Sequence, residues 1–336
     1  MTDNTKQKRS FIHDYCAPCI YMVTVVVEGR QPLLGRLAGD VDTAHIELTP
    51  LGKDVRHELY ALCDHYPQLR LLQYQIMPDH VHVIIHVMER TEKPLGSLLS
   101  SWKIACGRAY ARGTGANSSS QNKASSSPSK RSVIGASSGE PALAPQENPP
   151  YRRLFAEGYN DSILQGRGQL QHMIDYIHDN PRRLLLKRQQ TSFFSIHRSL
   201  NIAGHTLDAI GNLDLLRQPL VAVHCRRHWS PEEQQAYATH CLSQARQGTV
   251  LIGAFISETE KAIATQARQF SLPLIHIMGN GFDDLYKPSG NAFYACAEGR
   301  LLQLAPWPYR ASRQIVSREQ CNAMNTLAES IAIQTQ

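Results

Sequence analysis

The sequence predicts two domains, an α+β domain with an antiparallel sheet followed by an α/β domain with a parallel sheet. In the first part of the chain, runs typical of strands and helices are mixed, with a β-α-β-β order leading into a further helix. Beyond about residue 201, near-continuous apolar runs alternate with helical ones, which is typical of parallel strands covered on both faces. A length of 336 residues also favours two domains, and we place them at 1–200 and 201–336.

Composition excludes several classes of protein. A hydrophobic fraction of 42% and a charged fraction of 19% indicate a globular chain. No apolar run approaches the roughly 20 residues of a membrane span, and no apolar segment follows the N-terminal charges as in a signal peptide. We therefore expect a cytoplasmic protein without a membrane partner, whose eight cysteines are reduced. Cys16 and Cys19 form a C-x-x-C pair without a second ligand pair, which favours structural thiols over zinc.

Hydrophobic periodicity predicts the elements of the first domain. We expect strands at 20–29, 45–50, 69–76 and 80–87, and helices at 51–67, at 95–112 and from 166 onward. Pro181 should end the last helix, because proline lacks the N–H that an interior helical position donates. Residues 113–150 are rich in Ser, Gly, Pro and Asn, and we expect them to be a disordered insertion within this domain.

In the second domain, apolar runs typical of strands alternate with runs typical of helices. We expect strands at 219–227, 249–257, 273–281 and 301–307, and helices at 230–248, 258–270, 317–333 and within 282–299. Ser230 with Glu233 predicts a capping box at the start of one helix, and Ser257 begins another. This alternation indicates a Rossmann-like domain, whose ligands are expected beyond the carboxyl ends of the strands.

Two histidines on one strand are the first candidate site. In Met77-Pro78-Asp79-His80-Val81-His82, the two imidazoles are two residues apart, so a strand turns both to one face. Such a pair can share a metal ion. The alternative is that His80 and His82 are polar residues on the open face of an amphipathic strand.

The second candidate site is a tyrosine on the helix that begins near residue 166. Tyr176 and Asn180 are four residues apart and therefore share one helix face. A tyrosine hydroxyl can attack a phosphodiester when a cation stabilises the electrophile. Asn180 offers an oxygen ligand beside it, and two imidazoles with one amide suit Mg²⁺ or Mn²⁺. The alternatives are a half-buried structural tyrosine at 176 and a rival nucleophile at Tyr159.

Basic residues near these motifs could contact a nucleic acid. The net charge of +6 permits a polyanionic partner without requiring one. The candidates for neutralising a DNA backbone are Lys103, Arg108, Arg152, Arg153, Arg182 and Arg183. The alternative is that these basic residues only form a solvated surface. Trp102 and Tyr110 could stack on single-stranded bases or belong to the core.

The histidine motif and the tyrosine motif together resemble those of a known protein family. MPDHVHVIIHV, followed by a helix with YIHDNPRR, resembles the single-tyrosine HUH transposases, which include the REP-associated tyrosine transposases and are also called transposase IS200-like domains. The resemblance covers about 15–112 and 151–187 and implies the HUH nuclease fold. It implies that Tyr176 cleaves single-stranded DNA, leaving a 5′-phosphotyrosine link and a free 3′-hydroxyl. It also implies that His80 and His82 bind the divalent metal, with Asn180 as the third ligand.

A second resemblance covers the C-terminal domain. GTVLIGAFISETEKAI, LPLIHIMGNGFDDLYKPSGN and EGRLLQLAPWP are similar in order to the Rossmann-like core of DNA-processing protein A, a family that binds single-stranded DNA. The glycines at 279 and 281 would stand at that family's G-x-G position. Their alternative explanation is close packing at the end of a parallel strand.

Together these observations predict a tyrosine transposase. It would be a metal-dependent endonuclease and strand transferase that nicks and rejoins single-stranded, hairpin-bearing DNA, with an accessory C-terminal domain. The first alternative is a domesticated, non-mobile protein that binds repetitive hairpin elements, and the second is a metal-dependent hydrolase that uses water. Dimeric and monomeric members of the family leave a homodimer open. The prediction requires the helix of Tyr176 to lie against the strand of His80 and His82, within the chain or from a partner subunit.

Overall fold

A computed structural model describes residues 13–114, 151–226, 228–312 and 316–334. The chain divides into two compact units, Met1–Leu185 and Leu186–Gln336, so the division falls nearer the N-terminus than the predicted boundary at 200 and 201. Most of the predicted insertion at 113–150 lies outside the described residues. Within the described ranges, no helix is both long enough and apolar enough to cross a membrane.

Unit 1 is built on a four-stranded antiparallel sheet in the order β4-β5-β1-β6. Strands β2 and β3 form a separate hairpin. Along the chain the elements are β1 (Cys19–Val26), β2 (Gly35–Ala38), β3 (His45–Leu48), α1 (Pro50–His65), β4 (Leu69–Ile76), β5 (His80–Val87), α2 (Leu95–Gly113), β6 (Asn160–Ile163) and α3 (Gln169–Gln189). The predicted elements of this unit are present within a few residues, whereas β2 and β6 were not predicted.

Side-chain alternation gives the sheet of unit 1 two buried faces. Residues with odd numbers on β5, such as Val81 and Val83, join the larger core together with side chains of α1 and α2. Residues with even numbers point to the other face, where Ile84 packs against Ile177 of α3 and Leu164. Helix α3 therefore covers the face that also carries the histidines of β5.

The prediction that Pro181 ends its helix is wrong, because α3 continues to Gln189 with Pro181 inside it. Proline at this position leaves the carbonyl four residues earlier without its helical donor. Burial offsets this loss, since Ile177, Asn180 and Pro181 are all buried side chains of α3. Tertiary packing has outweighed a local helix breaker.

Unit 2 contains a six-stranded sheet in the order β7-β8-β12-β11-β10-β9. The elements are β7 (His197–Ile202), β8 (His205–Gly211), β9 (Leu220–Ala222), α4 (Pro231–Arg246), β10 (Val250–Gly253), α5 (Glu258–Gln269), β11 (Leu274–Ile277), α6 (Asn291–Ala297), β12 (Leu301–Ala305) and α7 (Arg318–Gln334). Strands β9 to β12 are parallel, and β8 and β7 add an antiparallel hairpin. The predicted parallel sheet is thus a mixed one. As predicted, both faces are covered, with α4, α5 and α6 on one side and α7 on the other.

Candidate metal and nucleophile site

Strand β5 turns the imidazoles of His80 and His82 toward each other. Their Nε2 atoms are 3.1 Å apart, and the two rings are nearly perpendicular, with centroids separated by 4.7 Å. His82 is buried and His80 is partly exposed. The pair therefore directs two nitrogen atoms at one small region of space.

Each imidazole is also held at its other ring nitrogen, Nδ1, by a hydrogen-bonding side chain. The Nδ1 atom of His80 lies 2.6 Å from Asp79 Oδ1, and Nδ1 of His82 lies 2.8 Å from the hydroxyl of Thr24. Thr24 is directly opposite His82 in the β1–β5 register, so the strand pairing itself places the hydroxyl beside the ring. Contacts of this kind to the far nitrogen fix the orientation of a metal-binding histidine.

Burial and neighbouring charges set the protonation of the cluster. Burial, reinforced by the nearby His80, lowers the pKa of His82 to about 3, so its imidazole is neutral at physiological pH. Burial alone would raise the pKa of Asp79, but the hydrogen bond from His80 and the charge of Arg30 outweigh it and lower that pKa. A neutral imidazole such as that of His82 can offer a ring-nitrogen lone pair to a cation, which a protonated imidazole cannot.

Tyr176 of α3 lies over the same site. Its ring is 6.1 Å from that of His82 between centroids, and 36% of its surface is exposed. The Arg183 guanidinium, two helical turns later, lies 5.4 Å from the centroid of the Tyr176 ring. Burial lowers the pKa of Arg183, although Tyr176 and Asp179 act in the opposite direction. A hydroxyl-bearing ring, a cation and two imidazoles thus converge within unit 1 of a single chain.

Asn180 sits one turn after Tyr176 as one of few buried polar side chains among the described residues. It is 7% exposed, and its amide nitrogen has no hydrogen-bond partner. A half-turn of the asparagine amide exchanges its nitrogen and its oxygen, so the oxygen of Asn180 can occupy the position that the unpartnered nitrogen has here. A buried amide edge without a partner is costly unless something else binds there.

These residues fit a divalent cation in an octahedral shell. Adjacent ligands at about 2.1 Å from a cation lie about 3 Å apart, close to the separation of the two Nε2 atoms. Across the described ranges, no three His, Cys, Asp or Glu side chains are grouped to hold a metal. Asn180 of α3 carries an amide oxygen, a ligand type that Mg²⁺ and Mn²⁺ accept. Cys16 and Cys19 form no disulfide and are both partly buried.

The predicted DNA-contact residues fall into two groups. Lys103 donates to the carbonyls of Ala156 and Gly158, and Arg152 covers the Tyr110 ring at 4.7 Å. Both belong to the side of the sheet occupied by α2, which also carries the exposed Arg108, and Arg153 is exposed in the segment before β6. Only the pair on α3 lies on the side of the histidines: Arg182, 3.9 Å from Asp179, and Arg183.

Two aromatic candidates are structural. Trp102 is 2% exposed and stacks on Phe155 at 5.1 Å, so it belongs to the core rather than to a base-stacking surface. Tyr159, the rival nucleophile, packs against that same core, on the side of the sheet away from His82. Sequence reasoning missed Thr24, whose only signal was a single polar residue in the apolar run of β1.

The expected ligand position in unit 2 is filled by the chain. Glu260 is 3% exposed, and its carboxylate accepts the backbone N–H groups of Ile256 and Ser257, just before α5, and of Cys225, in the segment after β9. The carboxylate thus occupies the N-terminal end of α5, the kind of helix end at which a phosphate can bind. The parallel strands also run in simple sequence from β9 to β12, without the reversal of order at which Rossmann-like folds bind ligands. Gly281 has a packing role, because a Cβ there would meet the backbone nitrogen of Tyr309 at 2.3 Å.

Comparison with known proteins assigns no family to the chain. No family model and no curated protein matches it. Among solved structures, a REP-associated tyrosine transposase bound to a REP hairpin is similar at 12% identity, covering 52% of this chain and 73% of that one, with a TM-score of 0.31. DNA processing protein A from Helicobacter pylori, described for its single-stranded DNA binding mode, is 20% identical over 41% of this chain and 65% of its own, with a TM-score of 0.31.

The protein of the same name from Streptococcus pneumoniae is 19% identical over 50% of this chain and 60% of its own, again with a TM-score of 0.31. The chain spans less than two thirds of both DNA processing proteins. TM-scores this low indicate a limited likeness of fold and transfer no function to the chain.

Proposed function

We propose that unit 1 is a divalent-metal-dependent enzyme that nicks and rejoins single-stranded DNA, with Tyr176 as the nucleophile. This proposal rests on one observation: a pair of imidazoles suited to a cation and a tyrosine hydroxyl lie together on one face of the sheet. Two imidazole nitrogens lie 3.1 Å apart, and a half-exposed tyrosine ring lies 6.1 Å from one of the rings. Covalent catalysis on a phosphodiester needs such an accessible hydroxyl beside a cation site.

In the proposed nicking step, Tyr176 Oη forms a bond to phosphorus as the bond from phosphorus to the 3′ oxygen breaks. The phenol proton passes to water, and the 3′ oxygen takes up a proton and leaves as a hydroxyl. The downstream strand stays attached to Tyr176 through its 5′-phosphate. Rejoining is the reverse attack by a 3′-hydroxyl, and because one phosphoester replaces another, the cycle needs no external energy source.

The remaining side chains have supporting roles. His80 and His82 would hold the cation through Nε2, and Asn180 would complete the protein ligands from α3. A bound Mg²⁺ or Mn²⁺ would act as a Lewis acid on the scissile phosphate. Arg183 lies against the Tyr176 ring, where its guanidinium can pair with the phosphate that Tyr176 attacks. The preference for hairpin DNA is proposed from the sequence resemblance.

A label-transfer experiment tests this proposal. A pool of hairpin-bearing single-stranded oligonucleotides, labelled at the 3′ end, is incubated with the full chain and Mn²⁺ and separated on a denaturing protein gel. We expect a labelled adduct that requires the metal, because the 5′-phosphotyrosine retains the 3′ fragment.

Tyr176→Phe should abolish the adduct, whereas Tyr159→Phe, the matched control, should retain it. An adduct with Tyr176→Phe would refute the assignment of the nucleophile. Cleavage without any adduct would indicate a hydrolase that uses water. Intact DNA that is retained by the chain only on a native gel, with or without metal, would indicate a DNA-binding protein that has lost catalysis.

A further inference from the structure

The hydroxyl of Thr24 completes a chain of four side chains through the candidate metal site. In order, the contacts are Thr24 Oγ1 to His82 Nδ1 at 2.8 Å, His82 Nε2 to His80 Nε2 at 3.1 Å, and His80 Nδ1 to Asp79 Oδ1 at 2.6 Å. Every ring nitrogen of the pair thus has a partner within hydrogen-bonding distance. The direction of each hydrogen bond follows from the chemistry of the two ends.

The Asp79 end fixes the tautomer of His80. Asp79 Oδ1 faces His80 Nδ1 at 2.6 Å, and Asp79 Oδ2 lies 3.5 Å from the Arg30 guanidinium, so both carboxylate oxygens are placed as hydrogen-bond acceptors. A neutral His80 must therefore carry its hydrogen on Nδ1 and present a lone pair at Nε2. That lone pair faces Nε2 of His82.

The tautomer of His82 then depends on what occupies the space between the rings. Without a cation, His82 satisfies His80 by donating from Nε2, and its Nδ1 accepts from the Thr24 hydroxyl. With a cation, both Nε2 atoms must offer lone pairs, so the single hydrogen of His82 must reside on Nδ1 and Thr24 must accept it. The imidazole keeps one hydrogen in both states, since water removes it from one nitrogen and returns it to the other.

We propose that Thr24 is a positioning residue whose hydroxyl rotates between donor and acceptor, so that the histidine pair is fully hydrogen-bonded both with and without its cation. A hydroxyl is suited to this task because it can donate or accept by rotation alone, as no amide or carboxylate can do without changing its geometry. The antiparallel register places Thr24 directly opposite His82 and keeps the two in contact in both states. This inference rests on the proposed cation site of unit 1.

The opposite neighbour of His82 offers a matched control. Gln75 faces His82 from β4, as Thr24 does from β1, but its amide nitrogen donates to the Ile76 carbonyl at 3.2 Å. Replacing Gln75 removes the polar neighbour of His82 on the other flanking strand without touching the chain of hydrogen bonds. Thr24→Val preserves the shape of the side chain and removes the hydroxyl, and Thr24→Ser restores the hydroxyl.

Two measurements on the full chain test the proposal. Nitrogen-15 NMR of labelled histidine distinguishes the tautomers, and we expect His82 to be protonated at Nε2 in the metal-free protein and at Nδ1 after addition of Mg²⁺. Electron paramagnetic resonance of Mn²⁺ gives the affinity, which we expect to fall ten-fold or more in Thr24→Val and about two-fold or less in Thr24→Ser and Gln75→Ala.

The proposal is overturned if His82 carries its hydrogen on Nδ1 before metal is added, or if Thr24→Val binds Mn²⁺ as tightly as the wild type. Thermal unfolding of each variant shows whether it is folded, and an unfolded Thr24→Val leaves the tautomer measurement on the wild type to decide. Absence of Mn²⁺ binding in the wild type would instead refute the cation site, and with it the proposed function. The two failures are therefore distinguishable.

Discussion

Replacing Ile177 by alanine should loosen helix α3 from the sheet face that carries the histidines. Ile177 is fully buried and packs with Ile84 and Leu164 in a small cluster separate from the main core. The substitution removes three carbon atoms, worth about 2.4 kcal/mol at ~0.8 kcal/mol per methylene. The cavity that remains raises the expected loss of unfolding free energy to about 3–4 kcal/mol. Because Ile177 adjoins Tyr176, the proposed nucleophile should lose its fixed position at the same time.

Urea unfolding and adduct formation measure the two effects of this substitution. We expect Ile177→Ala to lower the unfolding free energy of unit 1 by about 3 kcal/mol. It should also reduce the adduct yield several-fold under conditions in which circular dichroism shows a folded chain. His178→Ala, on the exposed side of the same helix, should change neither quantity. A loss below about 1 kcal/mol with a full adduct yield would contradict the packing role assigned to α3.

Three further predictions concern one residue of the candidate site and two buried groups of unit 2. His82→Gln should weaken Mn²⁺ binding about 100-fold by electron paramagnetic resonance, whereas His86→Gln, farther along β5, should not; equal effects would argue against a specific pair. Burial, together with the charge of Arg268, lowers the pKa of His276 to about 4. Unit 2 should therefore lose about 2 kcal/mol of stability as the pH falls from about 6.5 toward 4, a magnitude that allows for the partial exposure of the ring. An unfolding midpoint that does not change with pH would contradict this. The sign follows because only the unfolded chain binds that proton in this range. Glu260→Ala should destabilise unit 2 by about 3 kcal/mol in urea unfolding, because three backbone donors lose their acceptor; a loss under about 1 kcal/mol would show that water replaces the carboxylate.

Local patterns were sufficient to predict the elements that carry the site. The alternation around His80 and His82 predicted a strand at 80–87, and the structure has β5 at those residues. The four-residue spacing of Tyr176 and Asn180 placed both on one helix, where they are found in α3. Periodicity succeeds here because each pattern extends over several residues and reports which face of an element is buried.

Features that depend on distant residues could not be predicted in the same way. Thr24 contacts a residue 58 positions later, and nothing in the apolar run of β1 reveals its partner in the register. The hairpin of β7 and β8 turns at Ala203 and Gly204, both with positive φ, and only the glycine was a local signal for it. Helix α3 passes through Pro181 because packing against the sheet outweighs the lost hydrogen bond, a balance that local sequence does not contain.

In unit 2, the predicted strands are present, but the predicted ligand position is occupied by a side chain of the protein itself. The predicted strands at 249–257 and 273–281 are present in shorter form, at Val250–Gly253 and Leu274–Ile277. The start of α5, however, is capped by its own Glu260 rather than left open to a ligand. Burial of a carboxylate against three N–H groups could not be anticipated from a capping-box pattern, which predicts only one of them, the N–H of the N-cap residue Ser257.

The most direct test of the central claim is to identify the residue that carries DNA. The wild-type chain is incubated with Mn²⁺ and hairpin-bearing single-stranded DNA, digested with nuclease and protease, and analysed by mass spectrometry. The proposed mechanism predicts a nucleotide bound through its 5′-phosphate to Tyr176 and to no other tyrosine. Modification of another residue, or DNA cut without any modified peptide, would contradict it.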